Sequence, residues 1–420
     1  MRRQAVARIP GMALQTGSPE LRAAAAQSVR FWPGVLAAAA LLAMTTGIRL
    51  SLGLFVRPIA ATGLGIATIS FVLAVGQFCW GASQPLFGML AERIGSRRVL
   101  LIGAAVLALG LGLAPLAPSA TGLLLTLGIV SAAGAGAGSF SILIGATAAR
   151  IDAARRSFAS GVINAGGSLG QLLLAPLAQW LISGWGWSTA MWGLALTGLA
   201  TAALARSAAG PDVAPAADSA AAGGSAAAAL AAAFRDRSYL CLNLGFFTCG
   251  FHIAFLVTHL PSEIVLCGLP ASSAGIALGL IGLCNVAGSI GIGWLGGRIR
   301  MKLLLAALYA TRVLLIGAYL AAPKTLLTLY LFAGSLGLTW LATVPPTAGL
   351  VGKLFGARHL ATLFGMTLLA HQIGAFFGAW LGGVALSITG SYRWVWLADA
   401  ALAAGAALLC VPIREARPDR

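Results

Sequence analysis

Long apolar runs recur along this chain with almost no charge inside them, and no other feature limits its folding as strongly. A helix rising 1.5 Å per residue needs about 20 apolar residues to cross a bilayer core of roughly 30 Å. Twelve segments reach that length, at about 34–56, 68–90, 99–117, 121–149, 158–183, 187–205, 239–261, 272–296, 303–322, 325–351, 360–386 and 392–413. Backbone in lipid must satisfy its hydrogen bonds internally. The expected fold is therefore an all-α polytopic membrane protein with 12 transmembrane helices. Charged residues are 9% of the chain, against about 25% in a soluble domain. The stretch 206–238 breaks the pattern: it is rich in Ala, Gly, Ser and Pro and ends in Arg235-Asp236-Arg237. It reads as a linker with a short amphipathic helix near 225–235.

A short basic stretch, GMLAERIGSRR from Gly88 to Arg98, sits between the second and third runs. A degenerate copy, GWLGGRIRMK, begins at Gly293 and matches at Gly88/Gly293, Leu90/Leu295, Arg93/Arg298 and Ile94/Ile299. Such a repeat implies two similar halves, and two parallel six-helix halves are a plan of secondary transporters. The expected divisions are a tail over 1–30, a half over 31–205, the linker over 206–238, a half over 239–413 and a tail over 414–420. The net charge is +17, from 27 Lys and Arg against 10 Asp and Glu. If twelve spans alternate, all the basic residues fall on one side except Arg57, Lys324 and Arg393 opposite and Arg49 and Arg312 within spans. Positive residues mark the cytoplasmic side, so both termini are expected there. Basic residues scattered between apolar runs argue against nucleic acid as a partner. The six cysteines show no paired or metal-like spacing and read as small core residues. No nucleophile–base pair, metal cluster or phosphate loop stands out, so no enzyme activity and no cofactor is expected. High Ala, Gly and Arg with little Lys suggests a bacterial inner membrane.

The G-x-L-A-[DE]-R-x-G pattern of the Gly88 loop, with its copy between the eighth and ninth segments, resembles the signature loop of the major facilitator superfamily. The chain departs from that pattern at Glu92, where Asp is usual, and at Ser96, a basic position in the family. The resemblance implies that segments one, four, seven and ten line a central cavity. It also implies that the loop latches the halves on the cytoplasmic side, with Gly88, Glu92, Arg93, Gly95 and Arg97 as gating residues and Arg358 or the start of segment eleven as partner. GIRLSLGLFVRPIA in segment one and GFFTCGFHIAFLVTHLP in segment seven are similar to monocarboxylate and oxalate–formate type transporters. That group commonly has an arginine in segment eight. Here segment eight is uncharged, with Ser289 near that place, so the positive charge would have to come from Arg49.

Charge at the bilayer centre costs at least about 2.5–3.5 kcal/mol, so each intramembrane polar group needs a reason. Arg49 is a candidate anchor for an anionic substrate, since a guanidinium holds a carboxylate with two bonds; alternatively it snorkels to the interface near Arg57. His252 and His259, seven apart on one face of segment seven, and His371 with Gln372 in segment eleven, are candidates for substrate or proton binding. Asn285 and Trp340 are candidate cavity residues, and Gln77, Asn164 and Gln171 are further neutral polar groups for a path or a helix contact. Arg312 and Asp399 sit at matching depth in segments nine and twelve and are expected to form a structural ion pair. Pro345-Pro346 must interrupt segment ten, either as a kink or as a break whose carbonyls face the cavity. The resulting expectation is a monomeric alternating-access carrier for a small organic anion, with protons as a candidate coupling ion. The alternatives are an efflux carrier for drug-like molecules and a membrane sensor that transports nothing.

Overall fold

The computed structural model describes residues 19–148, 153–209, 226–296, 298–355 and 360–415. All regular structure among them is helical. In the first half the helices are α1 (Pro19–Ser51), α2 (Val56–Ala60), α3 (Ile66–Ile94), α4 (Ser96–Leu113), α5 (Ala120–Leu123), α6 (Ala132–Ala137), α7 (Phe140–Ala148) and α8 (Ala153–Ala209). A short helix α9 (Ala226–Ala233) leads into the second half: α10 (Arg237–Leu266), α11 (Ser272–Leu295), α12 (Met301–Ala321), α13 (Leu326–Thr339), α14 (Val344–Phe355), α15 (Leu360–Thr389) and α16 (Arg393–Cys410).

Eleven of these stretches are long and apolar enough to cross a membrane. One of them, Gly161–Ala209, is 49 residues long, about twice what a bilayer needs. It folds back at Gly186, whose φ of 79° and ψ of 169° only glycine adopts without strain. Beyond the bend, a Cβ on Gly193 would lie 3.1 Å from Leu181, so the two legs run side by side. Helix α1 begins at Pro19, inside the segment expected to be a tail. Proline suits the first helical position, and the Leu-Arg-Ala-Ala-Ala-Ala run that follows is made of strong helix formers.

The ends of the bundle are distinct. The Gly95 loop and α9 lie at one end, here the linker side; the turns at Gly63, Gly268 and Gly390 lie at the far side. The halves meet through α3 against α15 and α8 against α11. From the far side inward, Ala67 and Ser70 approach Gly383, Phe71 packs edge-on against Trp380 at 5.9 Å, and Gln372 fills the space beside Gly81. In the other seam Gln179 and Ala175 approach Gly275, and Ser168 approaches Gly282. The turn at Leu52–Phe55 lies flat on α10, where Gly53 abuts Val257 and Thr258. Small residues permit these close backbone approaches, as expected where lipid supplies no hydrophobic drive. Nearer the linker side, a Cβ added at Gly88, Gly293 or Gly365 would meet no atom of the other half within 4 Å among the described residues. The close glycine contacts between the halves thus lie on the far side and at mid-depth.

Candidate functional site

Arg49 lies in the last turn of α1, and its side chain reaches across to α3. Its Nη1 donates to Gln77 Oε1 at 2.7 Å, and its guanidinium stacks over the Trp80 ring at 4.2 Å. Gln77 and Trp80 are three apart on α3 and so share a face. Among the described residues no carboxylate pairs with Arg49, and its Nε has no partner. A cavity of about 20 Å³, lined by Ile48, Arg49, Leu73, Leu127 and Ser131, lies beside it. That is room for about one water molecule, so it is not itself a substrate chamber. Across the seam, Gln372 packs on Gly81, and its Oε1 lacks a partner among the described residues. His371, its neighbour, is 8% exposed and accepts at Nδ1 from Gln372 Nε2 at 3.3 Å. The structure thus gathers Arg49, Gln77 and Trp80 of one half with His371 and Gln372 of the other. Sequence reasoning missed Trp80, although its spacing from Gln77 signalled a shared face.

The remaining candidates lie elsewhere. His259 is fully buried, with Nε2 against the Ala379 carbonyl at 2.6 Å and Nδ1 against Tyr392 Oη at 3.2 Å. Both ring nitrogens are used, so it ties α10 to α15 and to the start of α16. Asn285 donates from Nδ2 to Ser168 Oγ of the other half at 2.8 Å, and its Oδ1 accepts from Leu341 N at 2.9 Å. Trp340 is fully buried with its ring 6.0 Å from that of His252.

The expected Arg312–Asp399 ion pair is not formed. Asp399 Oδ2 instead pairs with His252 Nδ1 at 2.6 Å, both side chains being 0% exposed. Arg312 Nη2 donates to the Thr339 and Trp340 carbonyls at 2.8 and 2.7 Å. The reason lies in Pro345-Pro346. Their rings crowd the preceding turn, so the chain leaves helical geometry over residues 340–343 and α14 restarts with both prolines in its first turn. The break strands carbonyls 339 and 340, and Arg312 satisfies them. Asp399 remains a charge neighbour of Arg312 without touching it.

The gating residues are only partly described. Gly95 ends α3 with φ 90°, a left-handed value suited to glycine. Gly88 and Arg97 are partly buried and Arg93 is exposed. The Glu92 side chain and Arg358 lie outside the described residues. No ion pair joins Arg93 or Arg97 to the second half among the described residues.

The profile of the Major Facilitator Superfamily matches residues 34–379. The chain belongs to that superfamily. This superfamily member is 26% identical over 409 residues to monocarboxylate transporter 13 of Rattus norvegicus, covering 92% of each chain. It is 27% identical to monocarboxylate transporter 13 of Bos taurus, covering 90% of this chain and 88% of that one. Its fold matches a D-xylose–proton symporter with a TM-score of 0.71 at 15% identity, covering 91% of this chain and 97% of that chain. It also matches an inward-facing, unoccupied bacterial homologue of the lysosomal transporter Spinster, with a TM-score of 0.69 at 16% identity over 94% and 95% of the two chains. The protein is a multi-pass membrane transporter, not an enzyme.

Proposed function

We propose that this transporter carries a small organic anion of the monocarboxylate class by alternating access, with Arg49 as the anion anchor. The observation behind this reading is a guanidinium in the first span, held by Gln77 and Trp80, that meets no carboxylate among the described residues. A cation at that depth is stabilised by an anion, and a bidentate carboxylate supplies one. His371 and Gln372 then offer hydrogen bonds from the opposite half, so a bound anion bridges the two halves. The monocarboxylate transporters among its relatives support the same class. In this reading the fold-back at Gly186 makes twelve crossings, the basic linker side is cytoplasmic, and far-side closure makes this the inward-facing state of a monomeric carrier. Glu92 and Arg93 latch the cytoplasmic side in the opposite state, and the host membrane is a bacterial inner membrane.

Ligand-induced thermal stabilisation of the purified protein tests the reading. Acetate, lactate or pyruvate should raise the unfolding temperature of the wild type and not of Arg49→Ala. Stabilisation only by cations or bulky hydrophobic compounds would reject the anion assignment and favour efflux.

A further inference from the structure

We infer that the cleft between the start of α10 and the segment after α16 holds the phosphate headgroup of an anionic phospholipid, with an acyl chain lying along α10. The inference is independent of what the transporter carries. The cleft has a volume of about 550 Å³, and Arg235, Asp236, Arg237, Ser238, Cys241 and Arg414 are among its lining residues. That volume suits a small ligand or a headgroup. Its depth follows from the spans. The membrane-crossing stretch of α10 starts at Arg237 and that of α16 stops at Cys410. The cleft therefore opens where two helices leave the apolar layer, at the level of lipid headgroups.

Charge in the cleft is unbalanced. Asp236 Oδ1 accepts from Ser238 N at 2.8 Å, and Oδ2 pairs with Arg414 Nη2. The Arg235 and Arg237 side chains are exposed and pair with no carboxylate among the described residues. The neighbouring acid, Glu415, is turned away to the Met301 and Lys302 N–H groups and the Lys353 ammonium. The hollow is also held in shape. Arg414 N donates to Ser238 Oγ at 3.1 Å, and Lys302 Nζ donates to the Val411 and Ile413 carbonyls at 2.9 and 2.8 Å. These bonds fix the segment carrying Arg414 over the start of α10. Arginines that only set the side of a loop need not converge. Here cations from the two ends of the second half meet around one hollow. The apolar continuation favours a lipid over a soluble anion. Arg237, Leu240, Cys241 and Leu244 are three or four apart and form one stripe on α10. Leu240 and Leu244 are exposed, as are Leu408 and Val411 on the α16 side. Guanidinium groups hold phosphate oxygens in pairs, so a phosphate among the arginines sets its acyl chain against that stripe.

The test uses the full-length protein purified in a neutral detergent. It is titrated with phosphatidylglycerol, phosphatidylcholine or glycerol phosphate, and bound lipid is read by native mass spectrometry and by the unfolding temperature. Phosphatidylglycerol should bind and stabilise, phosphatidylcholine should bind more weakly, and glycerol phosphate, a headgroup without chains, should not stabilise. Each arginine near an anionic headgroup contributes about fivefold in affinity, so Arg235→Gln/Arg237→Gln should bind phosphatidylglycerol roughly 25-fold more weakly than the wild type. Either single substitution should lose about fivefold and carries the test if the double variant does not fold. Arg98→Gln/Arg206→Gln removes the same charge from exposed linker-side positions outside the cleft and should bind like the wild type. Equal affinity for the two lipids, unchanged binding in the cleft variants, or equal losses in both double variants overturns the inference. Stabilisation by glycerol phosphate as strong as by phosphatidylglycerol assigns the cleft to a soluble phosphate and overturns the lipid.

Discussion

Gly53→Ala probes how the two halves meet. A Cβ at Gly53 would lie 2.8 Å from the Val257 carbonyl carbon and 2.9 Å from the Thr258 Cα, and closer still to the Val257 oxygen. Ordinary van der Waals contact begins at 3.4 Å; the carbonyl carbon alone requires a withdrawal of about 0.6 Å from α10, and the closer oxygen requires well over that. The obstruction is backbone, which no rotamer change relieves. Overpacking of this kind costs roughly 1–3 kcal/mol. In a state where the far side is open, the added methyl meets no α10 backbone and costs little. The penalty therefore falls on one conformer, lowering the far-side-closed population relative to the open one by about 5- to 150-fold. Spin labels at Thr62 and Ala271, both exposed at far-side turns, would report it in a background lacking the six native cysteines. The variant should show a longer far-side distance than its parent, with normal yield, and slower transport. A far-side distance distribution identical to the parent's would refute the view that the Gly53 contact closes this side.

Further outcomes follow from the buried polar groups. Removing Asp399 charge in Asp399→Asn leaves Arg312 and His252 without their carboxylate and should cost about 3–5 kcal/mol, read as a lower unfolding temperature in detergent; unchanged stability would show that the pair does not carry the α10–α16 contact. Asn285→Ala breaks both the Ser168 bond and the Leu341 N bond and should cost about 1–3 kcal/mol. In a double-mutant cycle with Ser168→Ala the losses should be non-additive, and full additivity would deny the coupling. On the linker side, burial pushes the Glu415 carboxyl up, but the Lys302 and Met301 N–H groups and the Lys353 ammonium outweigh it and hold it below the usual carboxylate range. A carboxyl with a depressed folded value contributes stability above its unfolded value and loses it as pH falls through the folded one. Proteolysis of the C-terminal end should therefore accelerate as pH falls below the usual carboxylate range, and in Glu415→Gln at any pH; a cleavage rate indifferent to both would discard the tie.

Much of the architecture was legible along the chain. Apolar run length predicted the crossing helices, because backbone satisfaction in lipid is a local requirement that each segment meets alone. The Gly186 turn was visible as a gap between the fifth and sixth runs, and Arg49 stood out because a charge in a span needs a partner. Pro345-Pro346 announced an interruption. The reach of α1 back to Pro19, ahead of the spanning stretch from Trp32, was not legible, because a polar but helix-forming run carries no apolar signal.

By itself, then, the sequence determined an all-helical membrane protein and marked a short set of polar groups within its spans. The tertiary structure alone decided which of those groups meet. Arg312 and Asp399 match in depth, but depth is only one coordinate; pairing also requires that the helices present those side chains towards each other. Helix rotation is set by packing between segments distant in sequence: Phe255 of α10 meets Tyr392 and Trp396 of α16 edge-on, and Asp399 faces His252. The carbonyls that hold Arg312 exist as acceptors only because the helix breaks over residues 340–343. The same rotations bring Trp80 over Arg49 and place His371 and Gln372 opposite, which is why a site spread over two halves emerges from packing rather than from any local pattern.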